Sequence, residues 1–152
     1  MPERTAVVLG IDYGKRRIGL ATGNTLTGTA RSLSTVNHHG APMKDIDPII
    51  ESWNPGCIII GLPLSTEGSE TESSRAARAF AADLQARHPG RRIEFQDERY
   101  SSRMADSQFA QARQEGRARR RDARSLDGVA AAIIVESWLA ANRVANASEP
   151  GT

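Results

Sequence analysis

Three acidic positions in this chain could carry chemistry: Asp12, the Asp97-Glu98 pair and Asp127. Each stands where an apolar stretch ends or begins. Asp12 closes Val7-Val8-Leu9-Gly10-Ile11, Asp97 and Glu98 close Ile93-Glu94-Phe95-Gln96, and Asp127 opens the apolar run from Val129 to Leu139. Acids from separate elements that converge at one edge of a sheet can hold a divalent cation. Hard oxygen donors without histidine or cysteine suit Mg2+ or Mn2+. Two such ions about 4 Å apart can activate a water and stabilise the leaving oxygen of a phosphodiester, with no protein nucleophile needed.

Each position also has a plain structural use. An aspartate before Tyr13-Gly14 suits a turn, Asp97 or Glu98 can pair with Arg99, and Asp127 can cap a helix. Strand alternation sends Asp97 and Glu98 to opposite sides, so only one of them faces a given site. The pattern does not choose between them. Asp127 heads a helical stripe with Ala130, Ala131, Ile134 and Trp138 on or beside its face. An acid on such a packed face needs a partner, a proton or a cation.

Basic residues are grouped as a phosphate-binding surface requires. Lys15-Arg16-Arg17 follows Asp12 closely, and from Arg113 to Arg124 six arginines stand against Glu115 and Asp122. That segment carries +4 in a chain of net charge +2, leaving −2 for the remainder. Lys15, Arg16, Arg17, Arg99, Arg117, Arg119, Arg120 and Arg121 are the candidate nucleic-acid contacts. Neither Gly-x-x-x-x-Gly-Lys-Ser/Thr nor Gly-x-Gly-x-x-Gly occurs at the Asp12 loop, so these two nucleotide-binding fingerprints fail there.

The elements that must position these groups follow from periodicity. Ala6 to Ile11 reads as a strand covered on both faces, Ile18 to Thr22 as its hairpin partner, and Thr29 to Val36 as a third antiparallel strand. A helix is expected from Pro42 to Trp53 with Ile46, Ile49, Ile50 and Trp53 on one face, ended by Asn54-Pro55-Gly56. Cys57 to Leu62 is the clearest buried strand. Glu70 to His88 reads as a helix with Ala76 or Ala77, Phe80 and Leu84 inward, and Arg92 to Gln96 as a strand. A polar helix from Ser101 or Ser102 to Gln114 and a last helix from Asp127 to Val144 complete the order. Hairpins feeding crossover units imply an α/β fold, a mixed five-stranded sheet flanked by helices. One domain over 1–144 and a frayed tail over 145–152 are expected.

Composition limits the alternatives. At 152 residues, 39% hydrophobic and 25% charged, the chain fits one globular domain, and no stretch approaches the ~20 apolar residues of a membrane span. Met1 to Thr5 lacks the layout of a signal peptide, which makes the cytoplasm the default location and a membrane partner unexpected. Cys57 is the single cysteine, so an intrachain disulfide is excluded and a buried, inert thiol is expected. His38, His39 and His88 fall in loops without ligand spacing and are expected at the surface, which disfavours zinc.

Gly10-Ile11-Asp12-Tyr13-Gly14 with Arg17-Ile18-Gly19, Gly61-Leu62-Pro63-Leu64 with Gly68, Asp97-Glu98-Arg99, and Asp127-x-x-Ala130-Ala131 resemble, in this order, the YqgF (RuvX) family. The resemblance spans nearly the whole chain. It implies a ribonuclease H-like fold and a nuclease that matures the 5′ end of pre-16S rRNA, or alternatively resolves Holliday junctions. By motif position it implies Asp12, Glu98 and Asp127 as the catalytic, metal-binding carboxylates, with Asp97 in reserve. Ser101-Ser102 replaces the family's usual two threonines and keeps the hydroxyls. The implied partners are precursor rRNA or branched DNA, and the sequence leaves the protein a monomer or a homodimer. Two other classes compete: a sugar- or acetate-kinase-like ATPase, which shares Gly-Ile-Asp-x-Gly but closes two domains around nucleotide, and a non-catalytic RNA-binding module for ribosome assembly.

Overall fold

Apolar runs with little polar interruption build the middle of a sheet in this protein. The computed structural model describes residues 6–98 and 123–147, with side chains for 6–98 and 128–142. Its strands are β1 (Val7–Asp12), β2 (Arg17–Asn24), β3 (Thr29–Asn37), β4 (Cys57–Leu62) and β5 (Arg92–Asp97), and its helices α1 (Met43–Trp53), α2 (Glu72–Arg87) and α3 (Ala123–Ala147). The expected helix from Ser101 or Ser102 to Gln114 and the arginine-rich segment before α3 lie outside the described residues.

The strands form one sheet in the order β3-β2-β1-β4-β5. β1 to β3 pair as antiparallel hairpins, whereas β1, β4 and β5 run parallel. All six residues of β4 are buried, as a parallel strand covered on both faces requires. Leu9, Ile11, Ile58 and Ile60 face Ile46 and Ile50 of α1 and Ala77, Phe80, Ala81 and Leu84 of α2. Val8, Ala21, Cys57 and Ile59 face Ala131, Ile134, Val135, Trp138 and Leu139 of α3.

Glycines set how closely α3 approaches. A Cβ on Gly10 would lie 2.2 Å from Val135 Cγ2 and 3.1 Å from the Ala131 carbonyl oxygen. A Cβ on Gly23, the partner of Val8, would lie 2.4 Å from Val135 Cγ1 and 3.3 Å from Leu139 Cδ1. Contacts therefore advance along α3 as they retreat along β1, so the helix runs antiparallel to the central strand. Its early turns lie toward the carboxyl end of β1.

Several expectations change. His38 and His88 are buried, not surface residues, because each is enclosed with a hydrogen-bond partner: the Gly14 carbonyl for His38 and Asp47 for His88. Trp53, expected inward, is 39% exposed at the last turn of α1, where the helix has run past the core. α2 starts at Glu72 rather than Glu70, since Thr71 and Ser74 form a reciprocal capping box. Ala77, not Ala76, is its fully inward alanine. α3 begins at Ala123 and continues to Ala147, beyond both Asp127 and Val144, through residues of good helix propensity. Asp127 therefore lies within the helix and is not its cap. Cys57 is buried as expected.

Candidate active site

Parallel strands bring their carboxyl ends to the same edge. Ile11 is level with Ile60, and Leu62 with Asp97, so Asp12, the Gly61-Leu62-Pro63 segment and Asp97-Glu98 gather there. Thr71 fastens the loop after β4 to α2: its Oγ1 donates to the Pro63 carbonyl at 2.7 Å and accepts from the Ser74 amide at 2.9 Å.

Alternation then sorts the acids by face. Val8, Gly10 and Asp12 fall on the α3 side of β1. On β5, Glu94 accepts the Trp138 indole N–H of α3 at 3.1 Å, which puts Glu94, Gln96 and the following Glu98 on that same side. Phe95 lies under Arg78 of α2, 5.1 Å from guanidinium carbon to ring centroid, so Phe95 and Asp97 take the other. Glu98 is thus the acid that shares a face with Asp12. Its carboxyl group folds over Gly61, where a Cβ would stand 2.9 Å from Glu98 Cδ and 2.5 Å from Ile134 Cδ1. Only a glycine leaves the carboxyl this position.

The two acids meet. The Glu98 pKa is pushed up to about 8, first by burial, then by the negative charge of Asp12, then by its hydrogen bond with Asp12, with Asp97 adding to the repulsion. At neutral pH the pair holds a shared proton, the usual outcome when two carboxyls occupy one site without a cation. Among the described residues no group of three or more metal-ligating side chains occurs. The third expected carboxylate belongs to Asp127, whose side chain lies outside the described set. Its backbone position is informative nevertheless. Asp127 precedes Ala131 by one turn, ~6 Å along the helix, and Asp12 follows Gly10 by ~7 Å along the strand. Because Ala131 contacts Gly10 and the two elements are antiparallel, Asp127 falls level with Asp12. Two hard oxygen donors that already compete for one proton fit Mg2+ or Mn2+.

Lys15, Arg16 and Arg17 are exposed around the β1–β2 turn beside Asp12. Lys15 Nζ reaches Glu72 Oε1 at 3.2 Å, tying the turn to the start of α2. Arg99, Arg117, Arg119, Arg120 and Arg121 lie outside the described residues. His38 is a positioning residue that sequence reading passed over. Its Nδ1 accepts from the Gly40 amide at 3.1 Å, so Nε2 carries the proton and donates to the Gly14 carbonyl at 2.8 Å. The imidazole thereby fixes the turn that follows Asp12. The Val36-Asn37-His38 strand end could have signalled it, because a residue two beyond an inward-facing valine points inward too.

With this geometry in place, comparison with known proteins is decisive. A family model described as "RuvX: Holliday junction resolvase" matches residues 6–141. The chain belongs to the RuvX family. Relatives named "Putative pre-16S rRNA nuclease" in Xanthomonas axonopodis pv. citri (strain 306) and Xanthomonas oryzae pv. oryzae (strain PXO99A) are each 41% identical to it over 148 residues, covering 93% of this chain and 95% of theirs. Among solved structures, T. thermophilus RuvC in complex with a Holliday junction substrate superposes with a TM-score of 0.55 at 16% identity, over 90% of this chain and 95% of that one. The yeast mitochondrial Holliday junction resolvase Ydc2 gives 0.56 at 13%, over 90% and 78%. The fold of this RuvX-family chain is therefore ribonuclease H-like, as its motifs implied. Membership also removes the kinase-like alternative.

Proposed function

We propose that this protein is a metal-dependent endonuclease that hydrolyses phosphodiester bonds in structured nucleic acid, with the 5′ end of pre-16S rRNA as its substrate. The nuclease class is that of the family. The observation that carries the rest is the half-buried Asp12–Glu98 carboxyl pair at the carboxyl edge of a parallel sheet, in which burial and the charge of Asp12 raise the Glu98 pKa to about 8.

Asp12 and Glu98, with Asp127 as the third acid, would hold Mg2+ or Mn2+. When bound, the cation supplies Lewis acidity at the attacking and leaving oxygens. The chain's own groups account for the remaining work. Glu98 releases its proton when positive charge replaces it. Gly61 leaves room for the Glu98 carboxyl, and the central strand fixes Asp12 beside it. Lys15, Arg16 and Arg17 offset the charge that would otherwise repel a polyanion. Asp97, on the opposite face, raises the proton affinity of Glu98 without sharing its site. The reading extends to one domain from the amino terminus to the end of α3, acting in the cytoplasm. Among the described residues, no helix is long and apolar enough to cross a membrane.

The test incubates purified protein with precursor rRNA and, separately, with four-way DNA junctions, with Mg2+, with Mn2+ and with chelator. Cation-dependent cleavage of the precursor is expected. Asp12→Asn should reduce it at least a thousandfold (about 4 kcal/mol in the barrier) while leaving thermal stability and RNA binding in place. Cleavage that persists in chelator or in Asp12→Asn would refute the assignment. Branched DNA is the second reading, favoured by the description of the matching family, and preferential junction cleavage would establish it. Binding without cleavage of either substrate would mark a ribosome-assembly module.

A further inference from the structure

On the opposite face of the sheet from the carboxyl pair, Tyr13 borders a groove that the mechanism above does not use. Tyr13 is the residue after Asp12, so the end of β1 sends one side chain to each face. Its ring lies on Phe80 of α2, centroids 4.8 Å apart and tilted by 31°. The groove has a volume of about 540 Å³, within the range of small-molecule sites. The β3–α1 loop and the start of α1 supply one wall with Gly40, Ala41, Pro42 and Met43, and α2 supplies the other with Ala76, Ala79 and Phe80.

Three features of this lining point to a ligand. The walls are small or apolar, and Gly40 has nothing within 4 Å of where a Cβ would stand, which keeps the opening wide. Tyr13 is half-buried, and its hydroxyl makes no hydrogen bond among the described residues. Lys44 and Arg87 outnumber Asp83 among the charged lining residues, and Lys44 has no ion partner among the described residues, whereas Arg87 is engaged by Asp47. An aromatic platform with an open flank and a spare cation suits a flat, polar-edged ring joined to a phosphate. Tyr13 directly follows Asp12, so the groove and the carboxyl site share the end of β1, and the exposed Lys15 and Arg16 belong to the turn that comes next.

We infer that this groove receives an unpaired nucleobase of the substrate strand, near the phosphate held at Asp12 and Glu98, and so selects single-stranded or unstacked sites within structured nucleic acid. The inference rests on the nuclease reading. A strand passing over the Lys15-Arg16 turn leaves its scissile phosphate on the α3 face and delivers a neighbouring base to the Tyr13 face. A fully stacked duplex cannot do both.

The experiment uses the full chain and a single-stranded RNA carrying 5-iodouridine, with a fully paired duplex of the same sequence as control. Photo-crosslinking followed by peptide mapping should locate the base at Tyr13 or Met43. Ala79→Phe fills the groove from an exposed helix position that the core does not use. It should remove that crosslink and weaken single-strand binding about tenfold, the scale of one lost base stack, with duplex binding and melting temperature unchanged. Crosslinks confined to other peptides, or single-strand affinity unaltered in Ala79→Phe, would overturn the inference. So would free uridine monophosphate binding as tightly as the strand, because the groove would then be a nucleotide site independent of the substrate. Failure of the nuclease reading gives a different result: the parent chain would cleave neither RNA with Mg2+ or Mn2+, wherever the crosslink maps.

Discussion

Glu98 is the residue at which burial, the charge of Asp12 and the proposed cation site meet. Its folded pKa of about 8 lies above the ordinary 4.5, chiefly through burial and then through Asp12. Between those two values the folded chain holds a proton that the unfolded chain has released. Stability in chelator should therefore fall as pH rises from about 4.5 to about 8, by at most about 1.4 kcal/mol per pH unit for one proton. Urea melts of the parent and Glu98→Gln in chelator provide the check. The glutamine variant should lose that part of the decline, and millimolar Mg2+ should restore stability to the parent at pH 8 but not to the variant. Identical pH profiles for the two proteins would remove Glu98 as the titrating group. The sequence placed an acid at this strand end but left Asp97 and Glu98 equivalent, because alternation fixes only their opposition. The choice needs the identity of the covering helix, which the Glu94–Trp138 hydrogen bond supplies across 44 positions of sequence. His38 was illegible for the same reason: its partners, Gly14 and Gly40, come together only when β1–β2 and β3–α1 fold against each other.

At the level of elements, the separation between α3 and β1 decides whether acids on both can serve one site. Gly10 and Gly23 create that closeness, and Val135 fills the space above both. Gly10→Ala should cost about 1–3 kcal/mol, the range for overpacking a well-filled core. Val135→Ala alone should cost a similar amount through the cavity it leaves. In the double variant the methyl added at position 10 occupies part of that cavity. The two changes should then couple favourably, by about 1 kcal/mol or more, in a double-mutant cycle read by denaturant melts. Recovery will be incomplete, since the Ala131 carbonyl remains 3.1 Å away. Strict additivity would show that helix and strand do not meet at this point. The paired alanines Ala130-Ala131 made such an approach legible in the sequence, and the apolar stripe identified the packed face correctly. The start of α3 was not legible. Asp127 carries the chemistry of a cap, and only the backbone hydrogen bonds of the preceding turn show that the helix has already begun.

For the whole molecule, strand order was the most legible property. Two short hairpin links followed by two helix crossovers leave β1 central almost by elimination, because parallel partners must add beyond it. Charge distribution was legible as well, but its placement in space was not, since the arginines from Arg117 to Arg121 lie outside the described residues. A chain of net charge +2 with −2 outside one segment cannot attract a polyanion uniformly. On the proposed function, the acids at the sheet edge would repel phosphate in the absence of a cation, and the arginine-rich segment with the Lys15-Arg16-Arg17 turn would supply the affinity. Counterion release makes this quantitative: each phosphate neutralised on a single strand adds about 0.7 to the slope of log affinity against log salt. Replacing Arg119, Arg120 and Arg121 with alanine should weaken RNA binding and flatten the slope by about 2 if all three contact phosphate. Titrations at several potassium concentrations measure it, and chelator separates binding from cleavage. A variant that keeps the parental slope would place the phosphate contacts elsewhere, with the β1–β2 turn the next surface to neutralise.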